Sequence, residues 1–540
     1  MALTVEPPAA RRIEGRTGDP VTPILFGTLA VVAGIYLIWK TRGNTFFYDE
    51  WTWLFTRRSG LGSIVSSYNS QMVLVPSAVY SLLWHTIGLR HYWVFRAIGV
   101  AVHLGLVATV FTYARRRVAE VALAFAVPLL FLGYGWEDVI WPINFGFVAA
   151  LALSILALIS LDGPRPRRDG LACLALVAAL ACSEIALVFA LGLAVELSWR
   201  DRGLRRCWVW LVPFVLYGCW WVAYFEPSGS GSGLTEMPSF AASMAAAAIG
   251  GLLGLDMTWG KTLIVLAAVG AIARFARPRV FSPRAACVVV AAIAYWLLVA
   301  YGRNAHPDSA RYIYTGAVLL TLVAAEALRG VRVPRLGLAL GGVVALLALL
   351  GNLHQMAGGE RDLRYVSHVS RAELGALDIA QRLAPSALLI DSQYMPGMTA
   401  GQYFATVRAL RSTPADPPGA ISAEGQAAAG AADSLLVRAG DLTASLPRSG
   451  SVGAFHSCAA TRAAGRVLSL APGHRLLLRG SPGADVQIYA RRFASGFGAT
   501  RLAPLTGGQT LLVRAADDGS ARPWSLEIQG AGTQRASVCV

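Results

Sequence analysis

Charge is what this sequence has least of. Only 14% of the 540 residues are charged, where a soluble chain carries about 25%. So few charges, with 55% hydrophobic residues and a mean hydropathy of +0.53, exclude a disordered chain and a coiled coil. Seven cysteines in this length exclude a small disulfide scaffold. Lysine is nearly absent, occurring only as Lys40 and Lys261. There is no Walker A loop and no dinucleotide glycine fingerprint, so ATP-driven transport has no support. No His, Cys and Asp stand at zinc spacing. What remains is a polytopic membrane protein. The formal net charge of +16 would suggest nucleic acid in a soluble chain, but here the arginines fall in short clusters between apolar runs, as topology signals do. A nucleic-acid partner is therefore not expected.

A spanning helix needs about 20 mostly apolar residues. The first runs from Val21 to Lys40, after an uncleaved cytoplasmic tail, residues 1–20. Basic clusters follow at Arg115 to Arg117, Arg165 to Arg168, Arg200 to Arg206, Arg274 to Arg284 and Arg329 to Arg335. If all are cytoplasmic, an even number of crossings separates each from the next. Two ambiguous stretches are decided by that rule. Met72 to Leu89, short and holding Pro76, becomes a surface helix, and Tyr92 to Ala114 spans. Gly170 to Trp199 becomes two short helices with a tight turn at Cys182-Ser183-Glu184. The other spans are Val118 to Tyr134, Ile143 to Leu161, Trp208 to Phe225, Trp259 to Phe275, Ala285 to Tyr301, Tyr312 to Leu328 and Leu336 to Leu350. Ala241 to Leu255 reads as a surface or re-entrant helix.

The expected fold is therefore mainly α, with about eleven transmembrane helices over residues 21–351. Residues 352–540 form an extracytoplasmic α/β domain rich in β-sandwich strands. In that domain a helix is expected over Arg361 to Leu383, a strand over Ala387 to Asp391, a helix over Gly401 to Leu410, and a loop over Thr413 to Gly430. Short strands follow at His474 to Leu478, Asp485 to Ala490, Thr510 to Val513 and Ser525 to Ile528. Cys458 and Cys539 are the two cysteines of this region, and an oxidising compartment would bridge them.

The acids are unevenly placed. Asp49-Glu50-Trp51 follows the first span, Glu137-Asp138 stands between tryptophans, Glu184 sits in the hairpin turn, and a late loop holds Arg303, His306, Arg311 and Tyr312. One such loop would be an aromatic belt with solvated acids. Three acidic turns and two arginines point to a shared site. Its chemistry would be transfer from a lipid-linked phosphate donor. A carboxylate takes the proton of an acceptor hydroxyl, and Arg303, Arg311 or Lys261 stabilises the departing phosphate. Alternatives stay open: Asp49 as a helix cap, Glu50 as a structural acid, Glu137 and Asp138 as arginine partners, Arg311-Tyr312 as an interfacial anchor. His103, mid-span, reads as an interhelical hydrogen-bond partner.

The acidic pair of Tyr48-Asp49-Glu50-Trp51, then Asn69-Ser70-Gln71 to Pro76, Ile87-Gly88-Leu89, Phe95-Arg96 with His103, and Ser183-Glu184 resembles the GT-C superfamily of polyprenyl-phosphate-sugar glycosyltransferases. The likeness covers Thr22 to Gly351. It implies an inverting transfer on the outer face of a bacterial plasma membrane, with Asp49 as the catalytic acid and Glu50 beside it. It also implies a polyprenyl-phosphate sugar donor and a glycan, lipid or protein acceptor. Many relatives have His where Gln71 stands, and the lysine of their Ser-Lys-Glu turn is missing here. No cofactor is singled out, and a divalent cation on Asp49 or Glu137 is left open. Two other functions compete: a transporter or flippase of lipid-linked sugars, and a membrane-anchored protein whose outer domain binds glycan.

Overall fold

The computed structural model describes residues 20–539 except 58–59, 164–165, 201–204, 228–233, 278–279, 304–305, 332, 448–457, 463–465, 484 and 531–534. The expected cytoplasmic tail thus lies outside the described residues, apart from residue 20. The chain forms two compact units. The first takes residues up to Arg42, Gly60–Val79 and Trp93–Glu360; the second takes Gly43–Ser59, Tyr80–Tyr92 and Arg361–Val540.

The first unit is helical. Among the described residues, six helices are long and apolar enough to cross a membrane: Val21–Lys40, Trp93–Val118, Pro142–Ser160, Met257–Phe275, Pro283–Gly302 and Arg335–Ile379. Ala122–Leu130 and Gly133–Ile140 make a seventh if their 49° bend is one broken span. The expected eleven crossings are not reached by this measure. Several of the remaining helices are a little shorter than a full span, such as Trp208–Tyr224 with 17 residues. The apolar surface still requires lipid. Val265, Leu266, Val269 and Ile272 on one helix and Leu336, Leu340, Leu346 and Leu347 on another are exposed, and water would not tolerate so continuous a patch. The chain is a membrane protein.

The stretch over residues 170–199 does divide, into Pro166–Cys182 and Ile185–Arg200 with Ser183 and Glu184 between them. Small residues let these helices pack closely. A methyl group at Gly192 would collide with the Cys287 carbonyl, and one at Gly260 with that of Ala246. His103 hydrogen-bonds the Tyr314 hydroxyl at 2.7 Å and the Leu130 carbonyl at 3.2 Å, tying three helices.

Several arginines of the basic clusters are buried rather than solvated. Arg284 bonds Glu196 at 2.7 Å and the Leu158 carbonyl at 2.6 Å. Arg117 pairs with Glu326, and with Asp162 at 3.1 Å. Tyr113 donates to the same Glu326 at 2.7 Å. Each charge has a partner, which is the condition for burying it.

Two expectations about the chain after Gly351 are corrected. The helices expected over Leu336 to Leu350 and Arg361 to Leu383 are one, the 45-residue Arg335–Ile379. No proline interrupts it, and helix-forming residues carry it past Gly358-Gly359. Nor is the 413–430 region all loop. After a short 3₁₀ turn, Ile421–Glu424, it enters the helix Gln426–Ala439, bracketed by Gly425 and Gly440 at φ 98° and 91°. Alanine is the strongest helix former, and the two glycines take the left-handed ends.

Among its described residues the second unit has nine strands: β1 Leu442–Ser445, β2 Cys458–Arg462, β3 Arg466–Leu470, β4 Arg475–Gly480, β5 Asp485–Arg491, β6 Arg501–Thr506, β7 Thr510–Ala515, β8 Trp524–Gly530 and β9 Arg535–Cys539. They form two antiparallel sheets, ordered β1-β7-β4-β9-β2 and β3-β8-β5-β6. Alternating burial along β5 and β8 gives each an inward apolar face, including Val486, Ile488, Leu526 and Ile528. Cys539 is disulfide-bonded, and the residue facing it across the ladder is Cys458. The strand expected over residues 387–391 is reduced to a single bridge, Leu389 to Thr399.

Candidate functional site

A cavity of about 610 Å³ opens in the helical unit. Its wall brings together five residues singled out in the sequence: Gln71, Glu184, Arg303, Arg311 and Tyr312. They come from separate parts of the chain. Gln71 is set by a tight turn in which Asn69 and Ser70 take φ 50° and 64°. Non-glycine residues rarely adopt that conformation, and it is more often found where function demands it. The Tyr68–Gln71 bridge and a 3.1 Å bond from Ser70 Oγ to the Glu226 carbonyl hold the turn.

Glu184 sits in the two-residue turn between its helices. Its carboxylate accepts from its own amide and that of Met72, while Oε2 is buried without a hydrogen-bond partner. Burial pushes this carboxyl up to about 7, against the pull of those amides and the Arg303 charge. Arg303 thus lies close enough for its field to reach Glu184. Arg311, at the start of the helix Ala310–Ala327, bonds Glu137 at 3.1 Å. The pairing reading of Glu137 is the one the structure displays. Asp138 beside it is buried, with neither carboxylate oxygen hydrogen-bonded. It is not among the residues that line the cavity.

Other expected members are elsewhere. Lys261 is exposed on the helix Met257–Phe275, and His306 is exposed in its loop at φ 57°. Neither lines the cavity. Sequence reasoning missed the aromatic wall: Tyr217, Trp221 and Phe225 line the cavity. They recur every fourth residue, so they share one helix face. That spacing was a readable signal.

The acidic pair belongs to the second unit. Asp49 and Glu50 begin the helix Asp49–Thr56. Glu50 is wholly buried. It accepts from the Tyr80 hydroxyl at 2.6 Å, from the Tyr92 hydroxyl at 3.0 and 2.9 Å, and from the Phe47 amide at 2.9 Å. So engaged, Glu50 is a structural hub, the alternative the sequence left open. Trp51 is also fully buried, its indole bonded to the Phe46 carbonyl at 3.0 Å. It offers no surface to a substrate, contrary to expectation. Asp49 alone of the three remains partly exposed beside the exposed Tyr48.

The loop that carries Asp49 is anchored by its backbone. The Thr45 amide donates to Ser367 Oγ at 3.0 Å, Arg371 to the Gly43 carbonyl at 2.6 Å, and the Tyr48 amide to the Tyr394 carbonyl at 3.0 Å. Tyr48 takes φ 45° at the helix start. Among the described residues no three His, Cys, Asp or Glu side chains gather as a metal site.

No family model matches the chain, and no curated protein matches it. Among solved structures it is similar to ArnT from Cupriavidus metallidurans bound to undecaprenyl phosphate. That match has 17% identity and a TM-score of 0.45, covering 73% of this chain and 89% of that one. The apo state of the same protein gives 18% identity, the same TM-score and the same coverage. It is also similar to the archaeal oligosaccharyltransferase AglB from Archaeoglobus fulgidus in complex with an inhibitory peptide and a dolichol-phosphate. There the identity is 12% and the TM-score 0.40, over 67% of this chain and 58% of that one.

Proposed function

We propose that this chain is a membrane glycosyltransferase that moves a sugar from a polyprenyl-phosphate donor to a cell-envelope acceptor on the outer face of a bacterial plasma membrane. The observation that carries the reading is the cavity where Arg303 and Arg311 stand with Glu184 and an aromatic wall. A lipid phosphate needs cationic donors for its oxygens and apolar surface for its first prenyl carbons, and that wall offers both kinds of group.

In this reading an acceptor hydroxyl attacks the anomeric carbon from the face opposite the phosphate. The carbon–oxygen bond to phosphate breaks, its electron pair leaves with the phosphate, and the anomeric configuration inverts. A carboxylate takes the hydroxyl proton, and the resemblance names Asp49 for that role. The departing phosphate is already a stable anion, so arginine charge suffices and no protonating acid is needed. Glu137 holds Arg311 in place, which makes it a positioning residue.

The test uses purified protein in lipid nanodiscs with a radiolabelled polyprenyl-phosphate sugar and a cell-envelope extract as acceptor. Asp49→Asn should abolish label transfer, and Arg303→Ala should lower it at least tenfold, with both variants folded. Transfer at the wild-type rate by Asp49→Asn would sink the assignment.

The transporter or flippase reading keeps one observation in its favour, the 49° break between Ala122–Leu130 and Gly133–Ile140. Broken helices commonly frame transport sites. Movement of the lipid-linked sugar across proteoliposomes without any transfer product would favour it.

A further inference from the structure

The second unit has a separate cavity of about 420 Å³, lined by the loop after β5, the start of the helix Gln426–Ala439 and the start of β8. Its charged lining is Arg491, Arg492 and Arg522, and no carboxylate lines it. Arg492 is spent internally: it is buried and bonds Asp441 at 2.7 Å and Asp518 at 2.6 Å. Arg491 and Arg522 are not. Arg491 bonds the Ser495 carbonyl and lies over the Phe497 ring at 4.3 Å, and Arg522 lies over Phe493 at 4.8 Å. Among the described residues neither forms an ion pair. Stacking on a ring leaves the guanidinium edge, with its N–H donors, free for an oxyanion.

The loop that presents them is fixed in advance. Buried Asp433 accepts from the amides of Arg492, Phe493 and Ala494 at 2.9, 2.9 and 3.0 Å. Gln426 accepts from the Ser495 amide and hydroxyl at 2.7 and 2.6 Å. Asp433 also feels the Arg522 charge, but among the described residues no carboxylate pairs with Arg491 or Arg522, and both line the cavity. A loop held this way loses little freedom when a ligand arrives.

We propose that this cavity binds an acidic sugar, with Arg491 and Arg522 on its carboxylate or phosphate and the oxygens of the rim serines accepting from its ring hydroxyls. A lone tetrahedral anion would fill only a small part of the volume. A neutral sugar would leave both guanidiniums unpaired. The polar rim of Ser422, Gln426, Ser495 and Ser525 suits a hydroxylated ring rather than an apolar ligand. The inference stands independently of the donor cavity in the helical unit.

Equilibrium binding to the purified full-length protein in detergent tests it, with D-glucuronate, glucose 6-phosphate, glucose and inorganic phosphate as probes. The two acidic sugars should bind saturably and compete with each other, and glucose should bind at least tenfold more weakly. Arg491→Ala and Arg522→Ala should each weaken binding about tenfold, and the double variant should abolish it. Arg522→Gln, which keeps a planar polar group over Phe493, should bind as weakly as Arg522→Ala while keeping the wild-type thermal midpoint. No saturable binding of either acidic sugar, or undiminished binding by the double variant, would overturn the proposal. Inorganic phosphate binding as tightly as glucose 6-phosphate would overturn it too, leaving a site for a free anion.

Discussion

Replacing Glu50 by alanine should cost stability and not chemistry alone, and the size of that loss can be worked out. The side chain is fully buried and serves three donors: two tyrosine hydroxyls and the Phe47 amide. Truncation removes the acceptor that all three donors share. Breaking such a buried, charged hydrogen-bond network costs about 3–5 kcal/mol, as for a buried ion pair. For a unit of this size a loss of 1 kcal/mol lowers the thermal midpoint by about 2–4 °C. Glu50→Ala should therefore melt about 6–20 °C lower, followed by tryptophan fluorescence in detergent. Asp49→Asn, at a partly exposed position, should stay within about 2 °C of the wild type. The two neighbours are thus predicted to separate, one governing unfolding and the other transfer. A Glu50→Ala protein that melts with the wild type would refute the hub. So would an Asp49→Asn protein that melts as early as Glu50→Ala.

Two further outcomes can be checked with the same preparations. Arg284→Ala leaves Glu196 with Arg200 as its ion-pair partner and loses the Leu158 contact, so it should destabilise the helical unit by about 1–3 kcal/mol, seen as earlier aggregation on heating; an unchanged midpoint would contradict the buried network. Glu373 is raised to about 8, chiefly by burial and then by the Asp391 charge, against Arg438. The folded chain therefore holds a proton there that the unfolded chain releases near the ordinary glutamate range. Stability should fall as pH rises from about 4.5 to about 8 and level off above it, and Glu373→Gln should flatten that slope in pH-dependent melting curves.

The split of the stretch after Gly170 was legible because both of its flanks are basic, and a single crossing would have put one cluster on the wrong side. His103 was legible for a similar reason: a lone imidazole in an apolar helix needs a partner from another helix, and Tyr314 supplies it. The cavity was readable in part. Glu184, Arg303 and Arg311 stood out as charges in scarce-charge surroundings, whereas the Tyr217, Trp221 and Phe225 stripe, though regularly spaced, carries no charge to set it apart from the other aromatics of an apolar chain. Reading Glu50 and Trp51 as substrate-facing failed because sequence shows which groups can do chemistry and not which are already bonded. The basic clusters carried a double meaning. The same arginines that mark loops, Arg117 and Arg284 among them, also enter buried ion pairs, and composition cannot separate the two uses. The alanine-rich helix Gln426–Ala439 was obscured by its neighbours, since glycine and proline on either side suggested an irregular run.

Residues 43–59 and 80–92 fold with a partner segment that begins only at residue 361. During synthesis those two early loops leave the ribosome some three hundred residues before the strands and helices they fold with. A protein cut to begin at residue 361 would lack both loops and should be poorly soluble or prone to associate. Recombination between related sequences that exchanges only the tail would likewise break a unit whose parts are written at both ends of the gene.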